Sequence, residues 1–453
     1  MRDRLLWALV ILLSLGLLIA PALWNGFPLL QWDTGGYLAR TYEATLVPSR
    51  AVIYGLILRA GVPFAFWPVL LVQSALTVWI LALMLRAHGF GGRPLLLLGL
   101  IFALSLCTTL PWLTAILLTD IFCGLGVLAL YLLLMRADGL SRAERGALVI
   151  LAAVGAATHN ATLAVMLALV VAALVLHLVD RGRMPRARLA SGGGALVLGA
   201  LIVFAANYAV AGRLAWTPGG FSIAFGRMLQ DGIVKKYLDA HCPDPRLRLC
   251  AVKDRIPQDA DTWFWGSDLF DSMGRFAGLG KEMETVAIES IAEYPMLQLK
   301  TAAIATLRQL VHVRTGEGVL DDLWHTRIII GEFTPELAPA MKAAHQQAEG
   351  IDFMPINVLH YPLALLAIAG LPLIAWGALR RKLPAELGEL AAVCMIALLA
   401  NAFVCGALSN PHDRYGARMI WLASLAGALA LVRVSEHRRV EVRGASTARA
   451  ALN

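Results

Sequence analysis

Residues 5–23 have the sequence L-L-W-A-L-V-I-L-L-S-L-G-L-L-I-A-P-A-L and contain no charged side chain. A second block, residues 95–110, is equally apolar. A helix needs roughly 20 apolar residues to cross the hydrocarbon core of a bilayer, so blocks of this length predict membrane spans. Because the pattern is not the alternation of barrel strands, the spans are expected to be α-helices, which bond their own backbone polar groups.

The overall composition supports the same class. Of the 453 residues, 58% are hydrophobic and 15% are charged, whereas a soluble domain carries about 25% charged residues. The formal net charge of +8 does not indicate nucleic-acid binding, because the basic residues flank apolar blocks at every second loop. These clusters are Arg2 and Arg4; Arg86 and Arg93; Arg136, Arg142 and Arg145; Arg181, Arg183, Arg186 and Arg188; Arg380, Arg381 and Lys382; Arg438, Arg439 and Arg443. This positive-inside pattern predicts that both termini are cytoplasmic.

The apolar blocks divide the chain into an expected domain order. Ten spans are predicted near residues 5–24, 62–85, 94–113, 116–135, 146–158, 161–180, 191–211, 358–379, 386–407 and 416–434. No small-residue cleavage site follows the first block, so it is expected to be an uncleaved span. The sequence thus predicts an all-α polytopic protein of the cell inner membrane. Its expected parts are an N-terminal membrane module (1–211) with a long first outer loop (25–61), a mostly helical periplasmic domain (212–357), C-terminal membrane helices (358–434) and a cytoplasmic tail (435–453).

The predicted periplasmic domain contains Cys242 and Cys250, separated by a polar stretch with prolines. Disulfides persist in oxidising compartments, where the topology independently places this domain. A bridge between Cys242 and Cys250 is therefore expected, and the alternative is two reduced thiols in a loop. Its role would be structural in either case.

The first outer loop carries Asp33 directly after a span, followed by Tyr37. A short helix along the membrane surface is expected after Gly36, and Arg50 and Tyr54 would share a helical face four residues apart. A carboxylate at this depth can act as a general base, and an arginine can hold a phosphate. The alternative role for Asp33 is to cap a helix or a turn.

Two further polar positions lie at predicted outer turns. Residues 111–116 are expected to form a tight turn, with Asp120 a few residues into the next span. An ionisable residue at that position is costly and is usually functional, although it can also bond a neighbouring helix. His159 and Asn160 lie where the fifth and sixth spans meet, and helix capping is favoured there slightly over a substrate contact.

The last outer loop has the sequence P-H-D-R-Y-G-A-R over residues 411–418. Arg414 and Arg418 are four residues apart at the start of a span, with Tyr415 between them and His412 just before. Planar guanidinium groups match phosphate oxygens, so this cluster predicts a phosphate contact. The alternative is an interfacial anchor, because Tyr and Arg both favour that depth.

These features together resemble the GT-C superfamily of integral-membrane glycosyltransferases, which includes the protein O-mannosyltransferases and the lipid A aminoarabinose transferases. The resemblance rests on an acidic residue after the first span, a surface helix, a basic-x-x-x-Tyr element at residues 49–54 and an Arg-Tyr pair in the final outer loop. Thr34 stands where the family has a second acidic residue, and the middle proline of the R-x-P-x-Y element is absent.

The resemblance implies transfer of a sugar from a polyprenyl-phosphate donor to a lipid, glycan or protein acceptor at the outer membrane face. It assigns catalysis to Asp33 and Asp120, and donor phosphate binding to Arg50, Arg414, Arg418 and Tyr415. The remaining cavity residues would be Tyr37, Tyr54, His159, Asn160 and His412. No cofactor is expected and the sequence has no metal-ligand spacing, although some relatives use a divalent metal. A transporter or flippase of a lipid-linked saccharide and a non-catalytic scaffold are the alternatives.

Overall fold

The computed structural model describes residues 2–47, 50–216 and 220–450, with side chains described to His437. The predicted calls on Ser49, on residues 217–219 of the outer domain and on residues 451–453 of the tail lie outside these ranges. Within the described residues the fold is helical and contains no strand. Two backbone hydrogen bonds join Leu29 to Ala115 and to Leu117, forming an isolated parallel bridge.

The described residues up to Ala211 form ten α-helices, and several breaks fall at Gly or Pro residues. They are α1 (Arg2–Asn25), α2 (Trp32–Glu43), α3 (Val52–Gly61), α4 (Trp67–Ala87), α5 (Pro94–Cys107), α6 (Leu110–Ala115), α7 (Asp120–Met135), α8 (Arg142–Thr158), α9 (Asn160–Val179) and α10 (Arg186–Ala211).

The remaining helices include several short ones between α10 and the last three long helices. They are α11 (Gly220–Gln230), α12 (Ile233–His241), α13 (Ala260–Trp265), α14 (Asp268–Ser272), α15 (Arg275–Glu293), α16 (Pro295–Val311), α17 (Trp324–Phe333), α18 (Ala338–Ala343), α19 (His345–Ala348), α20 (Met354–Leu379), α21 (Ala385–Ala402) and α22 (Asp413–Ala450). A π-helical turn, Phe403–Ala407, extends α21. The described part of the chain also contains four 3₁₀ segments, at Val62–Phe64, Ala137–Gly139, Arg248–Arg255 and Pro335–Leu337.

Seven described helices are long and apolar enough to cross a membrane. They are α1, α4, α9, α10, α20, α21 with its π-helical extension, and α22 to His437. The other three predicted spans correspond to the shorter helices α5, α7 and α8, so a count of ten remains a prediction. The span predicted at 146–158 lies within α8, which begins earlier, at Arg142. It begins there because Ser141 caps the N-terminus in a capping box with Glu144.

Helix α7 lies at the centre of the bundle, and every residue from Asp120 to Leu134 is buried. A helix that is apolar all round is buried among neighbours rather than half-exposed to water. The sequence prediction of a tight turn at 111–116 is wrong, because residues 110–115 form α6. Placing α6 between α5 and α7 shortens both helices relative to the predicted spans, and it makes Asp120 the first residue of α7.

The predicted periplasmic domain consists of two parts. Residues 220–294 have a hydrophobic core of their own, which includes Phe225, Trp263 and Met283. Apolar residues of the following stretch, such as Val319 and Ile330, instead pack into the main core of the membrane bundle. The structure joins Cys242 to Cys250 by a disulfide, as predicted, with their Cα atoms 5.5 Å apart.

Candidate active site

The segment between α1 and α3 places Asp33 in the first turn of α2. Gln31 caps this helix by accepting from the amide of Asp33 at 2.8 Å, and Thr34 completes the capping box. The sequence prediction that the helix begins after Gly36 is therefore wrong, because the cap lies before Trp32. Asp33 also takes a favourable position for a carboxylate, since the N-terminus of a helix carries partial positive charge.

Gly35 and Gly36 allow other segments to approach this turn closely. A Cβ atom at Gly35 would lie 2.7 Å from the Cα atom of Thr326 in α17, and one at Gly36 would lie 3.3 Å from the Nε atom of Arg50. The hydroxyl of Thr326 accepts from the amide of Gly35 at 3.1 Å. The two glycines thus seat α2 against α17 and leave room for Arg50.

A second set of contacts brings Asp120 to the same place. Thr34 donates from its hydroxyl to the carbonyl of Leu117 at 2.9 Å, in the segment that forms the bridge with Leu29. This segment leads directly into Asp120 at the N-terminus of α7. The close pairing of the two loops therefore carries both carboxylates to one end of the bundle.

Arg414 joins the two carboxylates. Its Nη1 atom donates to Oδ2 of Asp33 at 2.7 Å, and its Nε atom donates to Oδ2 of Asp120 at 2.8 Å. Arg50 forms a second ion pair with the other oxygen of Asp33. Arg50 precedes α3, so the prediction that Arg50 and Tyr54 share a helical face is wrong.

Arg418 lies one turn further along α22 and is fully buried. Its Nη1 atom is 3.6 Å from Oδ1 of Asp120, and its Nη2 atom donates to Asn401 at 2.7 Å. That oxygen of Asp120 and the Nη1 atom of Arg418 have no hydrogen-bond partner among the described residues. The part of the cluster around Arg418 therefore contains polar atoms that have no described hydrogen-bond partner.

The predicted aromatic residues line this cluster in different ways. Tyr37 and Tyr54 are fully buried and meet edge to face with ring centroids 5.4 Å apart, and the Tyr54 hydroxyl donates to Gln73 at 3.2 Å. The guanidinium carbon of Arg50 is 5.8 Å from the centroid of the Tyr37 ring. Tyr415 has the guanidinium carbons of both Arg414 and Arg418 at 5.6 Å from its ring centroid.

His159 and Asn160 have different surroundings in the structure. His159 caps α9, since its Nδ1 atom accepts from the amide of Ala161 at 3.1 Å, as the favoured interpretation expected. It also lies near enough to influence both Asp33 and Asp120 electrostatically. Asn160 is exposed at the start of α9 and makes no described side-chain contact with the cluster.

His412 lies beside the cluster and connects it to the part of the chain, residues 220–294, that has its own core. Its Nδ1 atom is 2.8 Å from Glu317, and its Nε2 atom is 3.3 Å from Asp261 of α13. Burial alone would lower the pKa of His412, but the two carboxylates raise it to about 10. His412 is therefore a cation at neutral pH.

Sequence reasoning missed four polar residues that hold the segment 411–418, which the sequence predicts to be the last outer loop. Glu317 accepts from the amide of Arg414 at 2.7 Å. Gln309 binds both backbone groups of His412, at 2.9 Å through its oxygen and at 2.8 Å through its nitrogen. Asn401 binds Arg418, and Asp261 binds His412. Of these four, only Asn401 gave a signal, as a polar residue inside an apolar span.

The electrostatics of Asp33 follow from this arrangement. Burial alone would raise the pKa of its carboxyl group, but the guanidinium groups of Arg50 and Arg414 lower it well below its usual range. Asp33 is therefore an ionised, fully paired carboxylate while both arginines remain in place. Among the described residues no group of three or more His, Cys, Asp or Glu side chains is arranged to hold a metal ion.

Comparisons with family models, with curated proteins and with solved structures found no match for this chain.

Proposed function

We propose that this chain is a membrane glycosyltransferase that moves a sugar from a polyprenyl-phosphate donor to a lipid, glycan or protein acceptor at the periplasmic face of the inner membrane. The observation that carries the proposal is the Arg414 guanidinium bound to both Asp33 and Asp120. Two carboxylates and three arginines from separate segments converge at one end of an apolar bundle. The resemblance of these positions to the GT-C superfamily supports the same reaction.

The arginines suit the leaving group of this reaction. As the bond between the sugar and the donor phosphate breaks, negative charge builds on the departing polyprenyl phosphate. Fixed cations in a site with little water stabilise that charge strongly. Arg50 and Arg414 are mostly buried, with 19% and 12% of their side-chain surfaces exposed, so both are assigned to the donor phosphate, with Arg418 behind them.

Asp33 receives the proton of the acceptor hydroxyl in this scheme, while the acceptor oxygen forms the new bond to the sugar on the opposite side from the phosphate. The reaction inverts the configuration at the anomeric carbon of the sugar and requires no further reactant. A carboxylate paired with two arginines is a weak base. We therefore infer that the donor phosphate draws Arg50 and Arg414 away from Asp33, which raises its pKa only when the donor is bound.

The transporter alternative makes a different structural demand. It needs ionisable groups or broken helices near the middle of the bilayer. In the described residues Asp33, Asp120 and Arg414 all lie in the first turn of their helices, at one end of the bundle. This placement favours chemistry at a membrane face.

The test is transfer of radiolabelled sugar in membranes from a panel of polyprenyl-phosphate sugars, comparing wild type, Asp33→Asn and Arg414→Ala at matched expression. Asp138→Asn is the control, because this carboxylate is 87% exposed and pairs with Arg188. We expect transfer by wild type and by the control. Asp33→Asn should lose at least about 100-fold, the size typical of losing a general base, and Arg414→Ala should lose about 100- to 1000-fold, the size typical of losing a group that stabilises developing charge. Absence of transfer by wild type from every donor would overturn the proposal, and full activity of Asp33→Asn would remove Asp33 as the base.

A further inference from the structure

A cavity of about 250 Å³ lies at the end of the bundle opposite the Asp33–Arg414 cluster. Its lining comes from the ends of α4 and α21 and from α22, and it includes His88, Phe90, Glu386 and Arg433. Arg414 and Arg433 are nineteen positions apart in the continuous helix α22, which corresponds to about 28 Å at 1.5 Å per residue. That length matches the roughly 30 Å hydrocarbon core, so the cavity lies at the other membrane face.

Arg433 is held in place within this cavity but keeps free hydrogen-bonding capacity. Its guanidinium carbon lies 4.5 Å from the centroid of the Phe90 ring, and its Nη2 atom donates to the carbonyl of His88. Its buried Nε atom has no hydrogen-bond partner among the described residues. Glu436 is 3.9 Å away and is also paired with Arg93. A phosphate oxygen would complete the bonding of this guanidinium.

Glu386 supplies the opposite charge. It lies in the first turn of α21, is half-buried and forms no described ion pair or hydrogen bond through its carboxylate. The neighbouring cation Arg136 attracts Glu386 electrostatically but forms its ion pair with Glu389. The His88 ring is occupied, since its nitrogens contact the carbonyl of Met84 and the hydroxyl of Tyr131. A ligand in this cavity therefore meets a guanidinium group with one unused donor, on Arg433, and the carboxylate of Glu386, which has no described ion pair.

We propose that this cavity binds the headgroup of an aminophospholipid, with the phosphate on Arg433 and the primary ammonium on Glu386. A ligand with phosphate alone would be repelled by Glu386, whereas phosphoethanolamine matches both charges. Basic pockets between membrane helices on the cytoplasmic side hold the headgroups of anionic lipids, and here the carboxylate of Glu386 would instead favour a headgroup that also carries an ammonium group. The site is independent of the proposed glycosyl transfer, and it would tie the ends of α4, α21 and α22 to the inner leaflet.

The test uses full-length protein purified in detergent and stripped of lipid. Its thermal unfolding midpoint is measured with added phosphatidylethanolamine, phosphatidylglycerol or phosphatidylcholine of identical acyl chains. A ligand that binds only the folded state raises the midpoint. We expect phosphatidylethanolamine to raise the unfolding midpoint most. Arg433→Ala should need at least tenfold more of this lipid for the same rise. Glu386→Gln should abolish the preference for phosphatidylethanolamine over phosphatidylglycerol. Lys382→Ala, an exposed cation without a described side-chain contact, is the control and should respond as wild type does.

Soluble glycerophosphoethanolamine carries the headgroup without acyl chains, so it separates binding in the cavity from a general effect of lipid on the membrane helices. It should compete with phosphatidylethanolamine for wild type but not for Arg433→Ala. An equal response of wild type to all three lipids would overturn the proposal. So would an unchanged lipid preference in Glu386→Gln, the variant that decides the matter if Arg433→Ala does not fold.

Discussion

Glu317 accepts a hydrogen bond from the backbone amide of Arg414 at 2.7 Å, and its other carboxylate oxygen holds His412 at 2.8 Å. The residue that bridges the two site carboxylates is thus fixed through its own backbone by a side chain from the turn after α16. Burial alone would raise the pKa of Glu317, but His412 and Arg414 lower it, so it stays ionised. Glu317 is a positioning residue for Arg414 in the proposed reaction.

We expect Glu317→Ala to reduce sugar transfer about 10- to 100-fold, because a hydrogen bond to a charged group contributes roughly 1.5–3 kcal/mol. Glu317→Gln keeps an oxygen for the Arg414 amide and should retain more activity than the alanine variant. Rates at saturating donor and the donor KM are measured for both. Equal activity of the alanine and glutamine variants would show that the amide contact has no part in positioning Arg414.

Asp120 is the most buried carboxylate of the cluster, with 1% of its side chain exposed. Asp120→Asn leaves Arg414 and Arg418 without their common counter-charge in a region of low polarity. Removing one partner from a buried ion pair typically costs about 3–5 kcal/mol. We therefore expect a large fall in thermal stability in detergent, and restoration of part of it in the double variant Asp120→Asn/Arg418→Gln. A single variant as stable as wild type would show that water reaches these arginines.

His412 predicts a pH dependence of stability. Its pKa in the folded protein is about 10, against about 6.5 for a free histidine. A raised pKa means that the folded state binds the proton more tightly, so this stabilisation is complete below pH 6.5 and is lost as the pH rises through 10. We expect the unfolding midpoint to fall between those pH values in wild type and to fall less in His412→Gln. The exposed His345, replaced in the same way, is the control and should keep the wild-type profile.

The sequence predicted the helical class because a long apolar block in lipid must bond its own backbone polar groups, and a helix does so. It also singled out Asp33, Asp120, Arg414 and Arg418, which the structure brings together, since charged residues beside apolar blocks are costly and stand out. It did not identify Glu317, which lies in an ordinary turn between two glycines with nothing local to mark it. The approach of this turn to α22 depends on contacts between residues about 100 positions apart, which a local pattern does not encode.

The start of α2 was missed for a different, local reason. The cap of α2 is Gln31, a residue type outside the usual set of N-caps. The division of residues 212–357 into a separate core and a bundle-packed part also depends on tertiary packing. Val319 and Ile330 have the same local character as residues of the separate core, but they are buried against different neighbours.

Two glycines on α22 provide the last prediction. A Cβ atom at Gly416 would lie 2.0 Å from the carbonyl oxygen of His312, whereas one at Gly427 would meet nothing within 4 Å. Gly416→Ala should therefore push α22 away from the end of α16, displace Arg414 and lower stability by about 1–3 kcal/mol, as overpacking does. Gly427→Ala adds the same methyl group to the same helix and should be neutral or stabilising by up to about 1 kcal/mol, because alanine has the higher helix propensity. Thermal unfolding of both variants in the same detergent measures the difference, and equal midpoints would mean that α16 and α22 do not pack as closely as the structure places them.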